Sequence, residues 1–123
     1  MATKELTKDN FAQTISGNSM VIVDFWAPWC APCRAFAPIF DAASEKYPEI
    51  IFAKVNTDEE QELASNFQIR SIPTLMILRE QVILFSQPGA LHASALEKII
   101  KQAQGVDMAR VHEEINREQP VSH

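Results

Sequence analysis

The chain predicts an α/β domain, a central mixed β-sheet with helices on both faces. Three observations carry this. Apolar runs of strand length, Met20–Trp26, Ile50–Val55 and Thr74–Leu78, alternate with segments whose apolar residues recur every three or four positions. Two late runs, Thr74–Leu78 and Val82–Phe85, are separated only by Arg79-Glu80-Gln81, the short connection of an antiparallel hairpin. And 123 residues, 46% of them hydrophobic, suit one domain with one core, burying roughly two thirds of the unfolded surface.

Taken in order, Thr7 is expected to cap a first helix that carries Phe11 and Ile15 and ends near Gly17. Met20–Trp26 follows as a buried strand, interrupted only by Asp24. A long helix from about Cys33 to Tyr47 places Phe36, Ile39, Phe40, Ala43 and Tyr47 on one face, and Pro38 inside it removes a hydrogen bond and should kink it. Ile50–Val55 is a second buried strand. Asp58, followed three positions later by Gln61, has the spacing of a capping box for a short helix bearing Leu63, Ala64 and Phe67. The hairpin connection lacks the glycine usual at such turns, which leaves its type open. A last core helix starts around His92, a weaker cap than Ser or Asp. It carries Leu96, Ile99, Ile100 and Ala103 and stops at Gly105. Beyond it Asp107 is a good N-cap, and Met108, Val111 and Ile115 share one helical face. Glu113 and Arg117 are spaced as an i,i+4 pair. A helix of about ten residues is not stable alone, so this segment is expected to dock on its own domain, with fraying, or contact with a partner or second copy, as the alternatives.

Composition narrows the function. A formal net charge of −5 makes nucleic acid and anionic membranes poor partners. The longest apolar run, Met20–Cys30, is too short to span a bilayer and contains Asp24. The start, Met1-Ala2-Thr3-Lys4-Glu5-Leu6, has no apolar core of a secretory signal, so a soluble, cytoplasmic protein is expected. Two cysteines are too few for a disulfide-stapled scaffold.

Those two cysteines hold the chemistry. Cys30 and Cys33 sit three positions apart in Trp29-Cys30-Ala31-Pro32-Cys33-Arg34, at the junction between a strand and a helix. One helical turn brings i and i+3 within about 5–6 Å, inside the window a disulfide accepts. A helix N-terminus carries unpaired N–H groups and roughly half a positive charge, which favours a thiolate. Zinc binding requires two further ligands, and His92, His112 and His123 offer no matching spacing; a site shared by four cysteines of two chains stays open, as do inert buried thiols. Read as a redox pair, Cys30 precedes the helix, is the more exposed, and attacks. Cys33, tucked into the turn, resolves the mixed disulfide. Ala31 and Pro32 add no positive charge between them, which favours a reductant over an oxidant. Asp24 lies in the strand beside this pair; an edge strand with Asp24 facing solvent is the alternative to burial.

The string Val23-Asp24-Phe25-Trp26-Ala27-Pro28-Trp29-Cys30-Ala31-Pro32-Cys33-Arg34 resembles the active-site segment of the thioredoxin family. Ala53-Lys54-Val55-Asn56, Ile69-Arg70-Ser71-Ile72-Pro73-Thr74 and Pro88-Gly89-Ala90 match that family at the expected separations, so the likeness covers about residues 5 to 104. Ala31 departs from the family's usual glycine. The resemblance implies the thioredoxin fold over residues 1–105, with 106–123 a C-terminal extension containing a short amphipathic helix. It implies a protein-disulfide reductase without metal or bound cofactor, recharged by an NADPH-dependent thioredoxin reductase and acting as a monomer on disulfide-containing client proteins. It further implies that Asp24 is buried beneath Cys33 with a raised pKa, ready to take the proton of that thiol, and that Lys54 is its partner on the next strand. Sequence alone favours a trans Ile72–Pro73 bond; the resemblance implies cis, with Ile72, Pro73, Trp29, Pro32, Gly89 and Ala90 forming a flat docking face around Cys30. A thioredoxin-fold binding or chaperone-like subunit with little turnover is the rival reading.

Overall fold

The computed structural model describes residues 2–118. Strand β1 (Thr3–Glu5), helix α1 (Phe11–Gly17), β2 (Met20–Trp26), α2 (Ala31–Lys46), β3 (Ile51–Asn56), α3 (Gln61–Asn66), β4 (Thr74–Arg79), β5 (Val82–Pro88), α4 (Ala93–Gln104) and α5 (Met108–Glu118) follow along the chain. The five strands form one sheet in the order β1-β3-β2-β4-β5. β1 and β2 run parallel to β3, whereas β4 is antiparallel to both β2 and β5, so the sheet is mixed as expected.

Alternation along the strands divides the core in two. Val21, Val23 and Phe25 of β2 pack with Ala53 and Val55 of β3 against Phe11 and Ile15 of α1 and Leu63 of α3. Met20 and Ile22 face the other way, where Phe52, Leu75 and Ile77 meet Phe36 and Phe40 of α2 and Leu96 and Ile100 of α4. Each face is thereby closed by two helices, and the apolar run of β2 is buried on both sides, as a central strand requires.

Several elements depart from the sequence reading. β1 was not expected, because Thr3-Lys4-Glu5 has no apolar pattern; its strand state comes from backbone pairing of Thr3 with Phe52 and Glu5 with Lys54. α1 begins at Phe11 rather than at Thr7. The Thr7 carbonyl accepts the N–H groups of Asn10 and Phe11 at 3.2 and 3.0 Å, making a turn ahead of the helix. The Asp58–Gln61 capping box does not form: Glu60 holds the N-cap of α3 without a side-chain bond. The hairpin turns on Glu80 and Gln81, both at positive φ, 50° and 67°, which is the two-residue type I′ turn built without glycine. Gly105 ends α4 as expected but with φ −86° and ψ −2°, an ordinary helical conformation rather than a left-handed cap.

In place of that cap, Arg79 at the end of β4 donates from Nη1 to the carbonyls of Ala103, Gln104 and Val106 at 3.0, 3.1 and 3.0 Å. α5 then starts with Asp107 accepting the Arg110 N–H at 3.2 Å, and buries Met108, which is 5% exposed. His112 of α5 meets Glu80 of the hairpin turn at 2.9 Å, and Arg117 pairs with Glu113 at 2.6 Å. α5 thus sits at the pole of the sheet where β4 ends, away from the end of β2 that leads to Cys30.

Candidate active site

β2 ends at Trp26 and the chain reverses through Ala27–Cys30, where the Cys30 N–H donates to the Ala27 carbonyl at 3.2 Å. Pro28, with φ preset, holds the second position of this turn. α2 starts immediately after it, with Pro32 in the first turn, where its missing N–H would have no partner anyway. Cys30 is the N-cap, and its Sγ accepts the N–H of Cys33 at 3.2 Å. The two cysteines are joined as a disulfide, with Cα atoms 5.2 Å apart, inside the unstrained range.

The expected difference in exposure between the two cysteines is nearly absent: Cys30 is 4% exposed and Cys33 2%. What distinguishes them is polarity of environment. Cys30 Sγ receives a helix N–H and stands at the positive end of the α2 dipole, whereas Cys33 supplies that N–H; both belong to one small cluster with Ala27 and the partly buried Trp26 and Ile72.

The opposite wall is the Ile72–Pro73 peptide, which is cis. The Ile72 carbonyl lies 3.7 Å from Cys30 Sγ. Gly89, at the end of β5, donates its N–H to the Pro73 carbonyl at 2.8 Å with φ +112°, a conformation side chains rarely allow. Ala90 follows, exposed, and Ala31 and Pro32 are exposed on the near side. Trp29 is 68% exposed, and its indole Nε1–H donates to Asp58 Oδ1 at 3.1 Å. Ile72 thus stands beside the disulfide, Gly89 is bonded to the neighbouring Pro73, and Trp29, Ala31 and Pro32 flank Cys30 along the chain. The local sequence around Asp58 reads as a helix cap; its contact with a side chain 29 positions away leaves no local trace.

Asp24 is buried, 1% exposed, and neither carboxylate oxygen has a hydrogen-bond partner among the described residues. On β2 it alternates onto the face that α2 covers. Burial pushes its pKa from the ordinary 3.8 up to about 7; the Lys54 charge opposes this, and Asp41 of α2 adds to it. Lys54 is its register neighbour on β3, yet its Nζ lies 4.6 Å from the centroid of the Trp26 ring instead of pairing with the carboxylate. Among the described residues no cluster of three or more His, Cys, Asp or Glu is assembled to hold a metal. No helix among them is long and apolar enough to cross a membrane.

A disulfide at a helix N-terminus, beside the cis Ile72–Pro73 peptide and following a strand that carries a buried titratable carboxyl, is suited to thiol exchange. The thioredoxin family model matches residues 2–102. A putative thioredoxin 2 from Streptomyces coelicolor is 50% identical over 118 residues, covering 96% of this chain and 88% of the relative. The thioredoxin of Porphyra purpurea is 40% identical over 104 residues, covering 83% of this chain and 97% of its own. Among solved structures, a Plasmodium falciparum thioredoxin superposes with TM-score 0.76 at 36% identity over 81% of this chain and 98% of that one. Mitochondrial thioredoxin 3 of Saccharomyces cerevisiae gives 0.75 at 30% identity over 81% of this chain and 94% of its own. The chain belongs to the thioredoxin family and is a thiol–disulfide oxidoreductase that reduces protein disulfides.

Proposed function

We propose that Cys30 is the attacking sulfur and Cys33 the resolving one. In the reduced protein the Cys30 thiolate attacks one sulfur of a client disulfide, forming a mixed disulfide and releasing the first client thiolate. Cys33, losing its proton, then attacks Cys30 Sγ; the Cys30–Cys33 bond forms and the second client thiolate leaves. Two electrons pass to the client, and the protein is left oxidised. The observation that carries this reading is the Cys33 N–H directed at Cys30 Sγ at the N-cap of α2: it stabilises negative charge on that sulfur alone.

Asp24 is the acceptor of the Cys33 proton in this scheme. A carboxyl with a pKa of about 7 is partly ionised near neutral pH and can both take and return a proton there. Lys54 keeps it from titrating still higher, and Ala31 and Pro32, uncharged, leave the Cys30 thiolate stabilised by the helix alone. Trp29, Ile72, Pro73, Gly89 and Ala90 are the docking face, on which an extended client segment is held by backbone groups and apolar contact.

The working protein on this reading is a cytoplasmic monomer recharged by an NADPH-dependent thioredoxin reductase, with residues 1–105 as the catalytic domain and 106–123 as an extension. The test is reduction of insulin by dithiothreitol with catalytic protein, then by NADPH with thioredoxin reductase. Acceleration in both is expected. No acceleration over dithiothreitol alone would identify a binding subunit instead.

A further inference from the structure

We propose that Arg34 is a positioning residue that holds the turn bearing Trp29 and Cys30 in the form that docks clients. Arg34 follows Cys33 in the first turns of α2, and its Nη1 reaches back to the Pro28 carbonyl at 2.9 Å. That carbonyl belongs to the central peptide of the Ala27–Cys30 turn, the Pro28–Trp29 unit, whose plane is the softest degree of freedom of a β-turn. Trp29 keeps a negative φ, which excludes a type II turn. Rotation of that plane would re-aim the Trp29 side chain and shift the Cys30 backbone.

Few other bonds resist such rotation. Pro28 has no N–H, and the turn's own backbone bond, Cys30 N–H to Ala27 carbonyl, is 3.2 Å long. The side chain of Trp29 is tied at its far end to Asp58. Beyond the peptide chain itself and the helical bond from the Arg34 N–H to the Cys30 carbonyl, the turn is fastened to α2 by the disulfide, which opens in the reduced protein that must receive a client. The Arg34 bond spans the same junction, from turn to helix, and does not depend on the redox state. It is a charge-assisted bond from a planar guanidinium, the stronger kind. The inference deepens the docking role given to Trp29 above and rests on that reading.

The test is Arg34→Met, which keeps a stem and removes the donor at an exposed position. Three readouts are compared with the unsubstituted protein: KM and kcat for insulin reduction with the reductase, the rate with hydroxyethyl disulfide (too small to use the docking face), and the Trp29 indole N–H signal in the reduced protein by NMR. KM for insulin should rise about fivefold, the net worth of a typical hydrogen bond, since solvent weakens the charged one at this exposed position. The kcat and the small-disulfide rate should stay within about twofold on the same basis, and the indole signal should shift or broaden. An unchanged insulin KM overturns the inference. So does an equal fall with both substrates, which would make Arg34 an electrostatic aid to the thiol, and so does an indole signal identical in the two proteins. Failure of the unsubstituted protein to reduce either disulfide would instead overturn the functional reading, and the indole signal would still decide the role of Arg34 in the turn.

Discussion

Replacing Asp24 by asparagine should change how stability depends on pH, and the size of the change follows from its burial. The carboxyl is 1% exposed, lacks a hydrogen-bond partner, and has its pKa pushed from 3.8 up to about 7. Below 3.8 the folded and unfolded chains both hold this proton, and the group has no effect on the balance. As pH rises from there towards 7 the unfolded chain releases the proton while the folded one keeps it, so stability falls. Above the folded pKa both are ionised and the loss levels off. At about 1.36 kcal/mol per pH unit, the interval from 3.8 to about 7 amounts to about 4 kcal/mol. Asparagine keeps the shape but does not titrate. The assay is urea unfolding of both oxidised proteins between pH 4 and 8.5, taking the difference in stability at each pH, so that every other titrating group cancels. The variant should gain about 4 kcal/mol on the parent across that range, whatever constant offset its amide introduces. A difference that stays flat with pH would refute the buried, raised carboxyl. The same variant should turn over more slowly near neutral pH, where the proposed scheme uses that carboxylate as a base.

Cys33→Ser should accumulate mixed disulfides with clients, visible as adducts on non-reducing gels, whereas Cys30→Ser should trap almost nothing; equal trapping would overturn the assigned roles. Gln81→Gly should raise the urea midpoint, by about 0.5–1 kcal/mol in stability, because it relieves a side chain held at φ 67°. No gain would show that the turn relaxes at no expense. Ending the chain after Gly105 removes the buried Met108 and the His112–Glu80 contact. The melting temperature should drop by several degrees, for a loss of about 1–2 kcal/mol, while most insulin-reducing activity is kept. A folded but inactive truncation would show that α5 serves the chemistry.

The parts of this molecule that were legible in the sequence are those encoded by neighbours along the chain. β2 announces itself by an unbroken apolar run, α2 by Phe36, Phe40 and Ala43 at helical spacing, and the redox pair by three positions between Cys30 and Cys33. What escaped is set by groups distant in sequence. β1 is a strand only because β3 offers it a backbone partner, since Lys4 and Glu5 are exposed and give no pattern. The bond of Trp29 to Asp58 diverts a residue whose local signal is that of a helix cap. The cis Ile72–Pro73 peptide runs against the general preference for trans and came only from the family likeness. Glu80 and Gln81 adopt positive φ because the paired strands on either side impose it, with no glycine to mark the place.

The three carbonyls gathered by Arg79 make the joint between α4 and α5 a stiff elbow instead of a hanging tether. A flexible tail could swing anything attached to it across the molecule and over the disulfide. An elbow braced by a side chain of the sheet cannot, and it commits α5 to the pole opposite Cys30. A dye, a surface anchor or a second protein attached on α5 would therefore sit at the back of the molecule, with the redox face turned outward and free to meet its clients.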